Sequence, residues 1–154
     1  RRKPGFRPGH GVTPSIRANP SGRAAGSLAG ACPYLRSDGS DEVTLDGKTS
    51  VAAVEGKKVR TFMIAPEDFG LKRSGIEHLK TKSPKESAKT IADVLASRRR
   101  DEARSLIVLN AAAALVIGGI ARDPMHAARM AEQSIDSGQA QNKLDRLIQV
   151  TNKR

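Results

Sequence analysis

The chain has 154 residues and a formal charge of +11, from 27 Lys/Arg against 16 Asp/Glu. That length accommodates one domain with a real core but not two large ones, and the single cysteine, Cys32, excludes a disulfide-stapled fold. The charge is uneven: residues 1–37 hold seven Lys/Arg and no acid, while residues 38–154 carry 20 Lys/Arg and 16 acids, a net +4 that does not by itself mark a polyanion binder.

Residues 1–37 contain five Pro and six Gly with almost no apolar periodicity. Such a composition buries too little surface to offset chain entropy, so a disordered basic tail is expected. An out-of-frame or truncated segment, a targeting segment and a nucleic-acid contact are the other readings, and the start on Arg1 rather than Met fits a processed or incomplete beginning.

From Glu42 to Ile64 the pattern is strand-like. Val43 and Leu45 alternate with polar neighbours, and Asp46-Gly47 has hairpin-turn chemistry. Thr49 to Val54 predicts a second strand, with a turn around Glu55-Gly56-Lys57. Val59, Thr61 and Met63 alternate with Arg60, Phe62 and Ile64 to give a third. Pro66 and Gly70 end the pattern in a loop.

The second half predicts four helices. Ser83-Pro84-Lys85-Glu86 carries the N-cap, the first-turn proline and the glutamate of a capping box. Ala88, Ile91, Val94 and Leu95 follow as an apolar stripe, and Arg98-Arg99-Arg100 suit the negative helix end. Asp101-Glu102 favour the start of a helix that is apolar nearly all round from Leu106 to Ile117, which predicts the central core element and falls short of the roughly 20 residues that cross a bilayer. Gly118-Gly119 stops it. Asp123-Pro124 opens the next, with Met125, Ala128, Ala131 and Ile135 on one side. Ser137-Gly138 interrupts, and Leu144, Leu147 and Ile148 mark a last amphipathic helix.

Asp41 and Glu42 are the candidate chemistry. Adjacent carboxylates repel unless solvated or bridged by a cation, and Mg²⁺ takes one or two carboxylates together with substrate phosphates. Neighbours on a regular strand point to opposite faces, so both serve one site only where the backbone is irregular. On spacing alone a solvated surface pair is the commoner outcome. His10, His78 and His126 lack a partner at ligand spacing, Cys32 lacks an activating neighbour, and Asn110 reads as a hydrogen-bonded core residue. Lys57-Lys58 and Lys80 to Lys85 read as solvated loops, and three Phe, one Tyr and no Trp offer few stacking platforms for single-stranded nucleic acid.

Four segments in order, Asp38-Gly39-Ser40-Asp41-Glu42-Val43, Pro66-Glu67-Asp68-Phe69-Gly70-Leu71, Asn110 to Leu115 and Ile135-Asp136-Ser137-Gly138, together with the capped helix at Ser83, resemble the C-terminal part of the anthranilate phosphoribosyltransferases. The resemblance covers about residues 38–150. It implies an α/β fold, an incomplete C-terminal portion of a phosphoribosyltransferase-type glycosyltransferase family 3 domain, with residues 38–154 forming a short strand meander and four helices. It implies that Asp41 and Glu42 hold Mg²⁺ with phosphoribosyl pyrophosphate, in an enzyme of tryptophan biosynthesis that transfers phosphoribosyl to anthranilate and releases pyrophosphate. Ser40 departs from the leucine usual in that motif, and Cys32-Pro33 would interrupt the strand expected to lead into it.

No Gly-Thr-Gly-Gly-like loop occurs in the 154 residues. The resemblance therefore also implies that the chain alone is inactive, since the pyrophosphate, ribose-phosphate and anthranilate contacts lie upstream in the family, as does the helical domain of its homodimer interface. A cytoplasmic enzyme with small-molecule substrates, no membrane and no nucleic acid is expected. The alternatives are a nucleoside phosphorylase-like piece of the same superfamily, or a non-enzymatic basic binding protein using residues 1–37.

Overall fold

The computed structural model describes residues 31–33, 42–55 and 58–152. A three-stranded antiparallel sheet is followed by four helices. β1 (Ala31–Pro33), β2 (Thr49–Glu55) and β3 (Lys58–Ile64) lie in the order β1-β2-β3, with Ala31 opposite Ala53 and Thr49 opposite Ile64. The β2–β3 hairpin follows the expected alternation: Ile64 is buried and Phe62 half-buried, while Val59, Thr61 and Met63 stay exposed on the other face.

Two strand expectations change. Val43–Leu45 is not a strand: Val43, Thr44 and Leu45 are all buried, which period-2 alternation cannot give, and the segment runs as irregular chain into a bend at Leu45–Gly47. The bend is made by Thr44 and Asp46 hydrogen-bonding each other, Thr44 Oγ1 donating to Asp46 Oδ1 at 3.0 Å and accepting from Asp46 N at 3.2 Å, so Gly47 needs no positive φ and no hairpin turn forms there. Conversely, Ala31–Pro33 pairs with β2 although composition placed it in the tail. Among the described residues β1 is an edge strand, where a proline's missing N–H is tolerated.

The helices are α1 (Pro84–Leu95), α2 (Glu102–Ile117), α3 (Pro124–Asp136) and α4 (Gln139–Thr151). Three begin on side-chain caps. Glu86 N donates to Ser83 Oγ at 3.2 Å, Ala103 N to Asp101 Oδ1 at 3.1 Å and His126 N to Asp123 Oδ1 at 2.8 Å. The return arm of the expected capping box reaches one residue further: Glu86 Oε2 accepts from Lys82 N rather than from Ser83. α2 stops at Gly118 with Gly119 left-handed at φ 67°, Gly119 N donating to Val116 O and Ile120 N to Leu115 O, a Schellman closure.

α2 is central. Ala103, Val108, Leu109 and Ala112 are buried against Ala127, Ala128, Ala131 and Ile135 of α3, with Val94, Leu45, Val51, Ile64 and Phe69 completing the core. The small alanines let α2 and α3 approach closely. Each fully buried leucine contributes about 1.5–3 kcal/mol of transfer free energy. Arg104 is also buried; its Nη2 reaches Asp136 Oδ2 at 3.0 Å, tying the start of α2 to the end of α3, while Arg100 takes the other oxygen at 3.3 Å. Two stripes are less buried than expected: of the α1 set only Val94 is fully buried, with Ala88 and Ile91 exposed, and Met125 of α3 is 51% exposed. α4 leaves Leu147, Ile148 and Val150 exposed. No described helix is long and apolar enough to cross a membrane.

Candidate functional site

Of the acidic pair, Asp41 lies outside the described residues, and Glu42 is exposed at the head of the buried run Val43–Leu45. Three consecutive residues after Glu42 are each tethered from a different part of the chain. Asn110 of α2 takes Val43 at two points, its Oδ1 accepting from Val43 N at 3.0 Å and its Nδ2 donating to Val43 O at 2.9 Å. Thr44 N donates to Thr49 Oγ1 at 3.3 Å, at the start of β2. Ser74 N donates to Leu45 O at 3.0 Å. These bonds pair Val43 N–H and C=O, Thr44 N–H and Leu45 C=O without a strand partner among the described residues.

The sequence therefore puts a buried apolar anchor immediately after an exposed carboxylate. Among the described residues no hydrogen bond or ion pair engages the Glu42 carboxylate. From Glu42 to Lys48 the described backbone is irregular rather than a strand. Asn110 itself sits in an apolar helix, and its second donor bond to Leu106 O at 3.1 Å completes its partners. Sequence reasoning found that Asn110 needs a hydrogen-bond partner; that the partner is the peptide next to Glu42, 67 residues away, carries no local signal.

The Pro66–Leu71 motif is scaffold. Pro66 and Phe69 are buried in a short 3₁₀ turn over Pro66–Phe69, Asp68 Oδ2 accepts from Ala65 N at 2.8 Å, and Gly70 at φ 71° lets Leu71 N close on Pro66 O. Glu67 points outward; its own backbone N–H first, and Arg73 next at 3.1 Å, hold its carboxyl below the usual range.

A shallow cleft of about 300 Å³ is lined by His78, Lys80, Lys89, Thr90, Asp93 and Arg99 among others. Its cations are already matched: Lys80 by Glu77, Lys89 by Asp93, Arg99 by Asp101, and His78 lies 3.5 Å from Glu102. The three consecutive arginines likewise each reach a carboxylate, Arg98 to Asp93, Arg99 to Asp101 and Arg100 to Asp136. No group of three or more His, Cys, Asp or Glu gathers among the described residues. A site using one or two carboxylates with phosphate oxygens and water needs no such cluster, so an unengaged Glu42 on a tethered backbone fits a Mg²⁺ of that kind.

A family model described as the glycosyl transferase family, a/b domain, matches residues 22–141, beginning upstream of the boundary that composition drew at residue 37. Curated relatives include the anthranilate phosphoribosyltransferase of Methylocella silvestris, 41% identical over 116 residues, covering 75% of this chain and 33% of that protein. The enzyme of the same name from Agrobacterium fabrum is 42% identical over 118 residues, covering 77% of this chain and 34% of its own length. Among solved structures, the anthranilate phosphoribosyltransferase of Saccharomyces cerevisiae in complex with PRPP and Mg superposes with a TM-score of 0.63 at 27% identity, covering 72% of this chain and 32% of that one. The Thermus thermophilus enzyme gives 0.63 at 29%, covering 71% and 32%. The chain thus spans about a third of the length of the relatives it matches.

Proposed function

Because the chain belongs to the glycosyl transferase family through the a/b domain matched over residues 22–141, we propose that it forms the C-terminal part of an anthranilate phosphoribosyltransferase of tryptophan biosynthesis. In that reaction the amine nitrogen of anthranilate forms a bond to the ribose carbon of phosphoribosyl pyrophosphate. The bond from that carbon to the pyrophosphate oxygen breaks with its electron pair, and the amine loses a proton. Asp41 and Glu42 are the residues that would hold Mg²⁺, which when bound supplies neutralisation of the charge developing on pyrophosphate. Glu42 presents its oxygens, and the Val43–Leu45 anchor keeps them in place. The observation that carries this reading is the two-point hydrogen bond from Asn110 to Val43, which fixes the backbone beside the acidic pair. The same reading has the full-length enzyme homodimeric and cytoplasmic, acting on two small molecules without membrane or nucleic acid.

Two measurements test it. The 154-residue chain, mixed with anthranilate, phosphoribosyl pyrophosphate and Mg²⁺, is expected to leave anthranilate fluorescence unchanged, because it carries no glycine-rich phosphate loop; measurable turnover would contradict this part. Residues 38–152 joined to the preceding two-thirds of the M. silvestris relative are expected to give an active enzyme in which Asp41→Asn or Glu42→Gln lowers kcat/KM about 100-fold or more, roughly 3 kcal/mol of lost transition-state stabilisation. A folded but inert chimera, or one indifferent to both substitutions, overturns the assignment.

A further inference from the structure

We propose that Asn110 is a positioning residue for Glu42, acting through the backbone of Val43; the inference rests on the metal-holding role proposed for Glu42 with Asp41. A carboxylate that meets a hard cation must be held to a few tenths of an ångström, and side chains on irregular chain are held only as well as their backbone. After Glu42, the backbone has no strand partner among the described residues. Its first restraint is the Asn110 amide, which reads the N–H and the C=O of Val43 together at 3.0 and 2.9 Å. Val43 N–H and C=O belong to the two peptide units that flank its Cα, so bonding both fixes the residue's rotation as well as its place, as a hydrogen-bonded pair does between antiparallel strands.

Asn110 is itself immobilised. It stands mid-way along α2, one residue after fully buried Leu109, with its spare donor on Leu106 O. No other uncharged side chain with both a donor and an acceptor interrupts Leu106–Ile117, and alanine or leucine there would suit the helix better. Asn110 is half-buried, and the partial desolvation of its amide is offset by these hydrogen bonds. Two of those bonds go to Val43, adjoining Glu42.

The test uses the full 154-residue chain, labelled with ¹⁵N, and Mn²⁺ as the probe, followed by paramagnetic broadening of the Val43 amide. In the native sequence broadening at Val43 is expected to exceed that at Ala140 of α4 several-fold, and Glu42→Gln is expected to remove the excess. Asn110→Leu, which keeps the branched side-chain shape but no hydrogen bonds, is expected to cut the Val43 broadening several-fold with Glu42 intact, and to speed Val43 amide exchange at least tenfold. Val94→Ala, a core truncation elsewhere, is expected to lower Tm and leave the broadening in place. If Glu42→Gln leaves the excess unchanged, the underlying metal assignment fails. If Glu42→Gln removes it and Asn110→Leu does not, the assignment stands and the role of Asn110 falls. Should Asn110→Leu not fold, Asn110→Ala is read in the same two ways.

Discussion

Ser97 stands at φ 57°, the only described non-glycine residue in the left-handed region. It closes α1 by a Schellman arrangement, Ser97 N donating to Val94 O and Arg98 N to Asp93 O, both at 2.9 Å. The equivalent positions after α2 and α3 are Gly119 and Gly138. A Cβ there costs about 1–2 kcal/mol, and glycine's extra unfolded-state freedom returns roughly 0.5–1 of that. Ser97→Gly is therefore expected to raise stability by about 0.5–1 kcal/mol, a Tm gain of about 2–4 °C in a thermal melt. The one counterweight is Ser97 Oγ on Ile135 O, at 3.5 Å the limit of a hydrogen bond. A lower Tm would mean that this bond between α1 and α3 outweighs the strain. At the same scale, Arg98, Arg99 and Arg100 are expected to serve the negative end of α1, but its last turn holds no basic residue, and the three pair instead with the carboxylates of Asp93, Asp101 and Asp136.

At the level of elements, the helices were legible because their ends are written in single residues. Ser83-Pro84, Asp101 and Asp123-Pro124 cap where the sequence put them, and Gly118-Gly119 and Ser137-Gly138 stop where φ turns positive. The cap of α3 gives a direct check: Asp123→Ala removes the 2.8 Å bond from His126 N and is expected to cost about 1 kcal/mol, while Asp123→Asn, which keeps an acceptor, costs a few tenths. Equal Tm losses for the two would show that charge, not the hydrogen bond, does the capping. The β2–β3 hairpin was legible for a similar reason, its alternation being local. Val43–Leu45 was not. Its alternating letters imply a strand, but all three residues are buried, with Asn110 and Ser74 from afar and Thr49 from nearby bonding their backbone. Stripe residues Ile91, within α1, and Met125, at the start of α3, had the right period and the wrong surroundings, since periodicity names a face and not what lies opposite it. For the candidate site, residue type and resemblance selected Asp41 and Glu42, whereas the anchor beside them depends on a contact between residues 67 apart in the chain.

For the whole molecule, the relevant balance is between net charge and the carboxylates that temper it. Basic residues outnumber acids 27 to 16, so each acid that protonates adds to self-repulsion. Three of those acids have carboxyls held below their usual range. Glu67 is lowered first by its own backbone N–H and then by Arg73, and Asp93 first by Lys89, with Arg98 adding to it. For Asp101 partial burial pushes the carboxyl up, but the hydrogen bonds from Arg99 and from Ala103 N outweigh it. A carboxyl whose folded pKa is depressed contributes stability that is present above its unfolded value, near pH 4, and lost as pH falls through the lower folded value. These groups therefore predict a Tm independent of pH between about 5 and 8, then a decline below about 4. Asp93→Asn should lower Tm at pH 7, since Lys89 and Arg98 lose their shared partner, and should flatten the acid limb. All three carboxylates are at the surface, so added salt should shrink the ion-pair part of this difference. Tm recorded from pH 8 to pH 3 for both proteins decides it: a fall already under way between pH 7 and 5, or an acid limb unchanged by the substitution, would show that general charge repulsion and not these paired carboxylates governs acid stability.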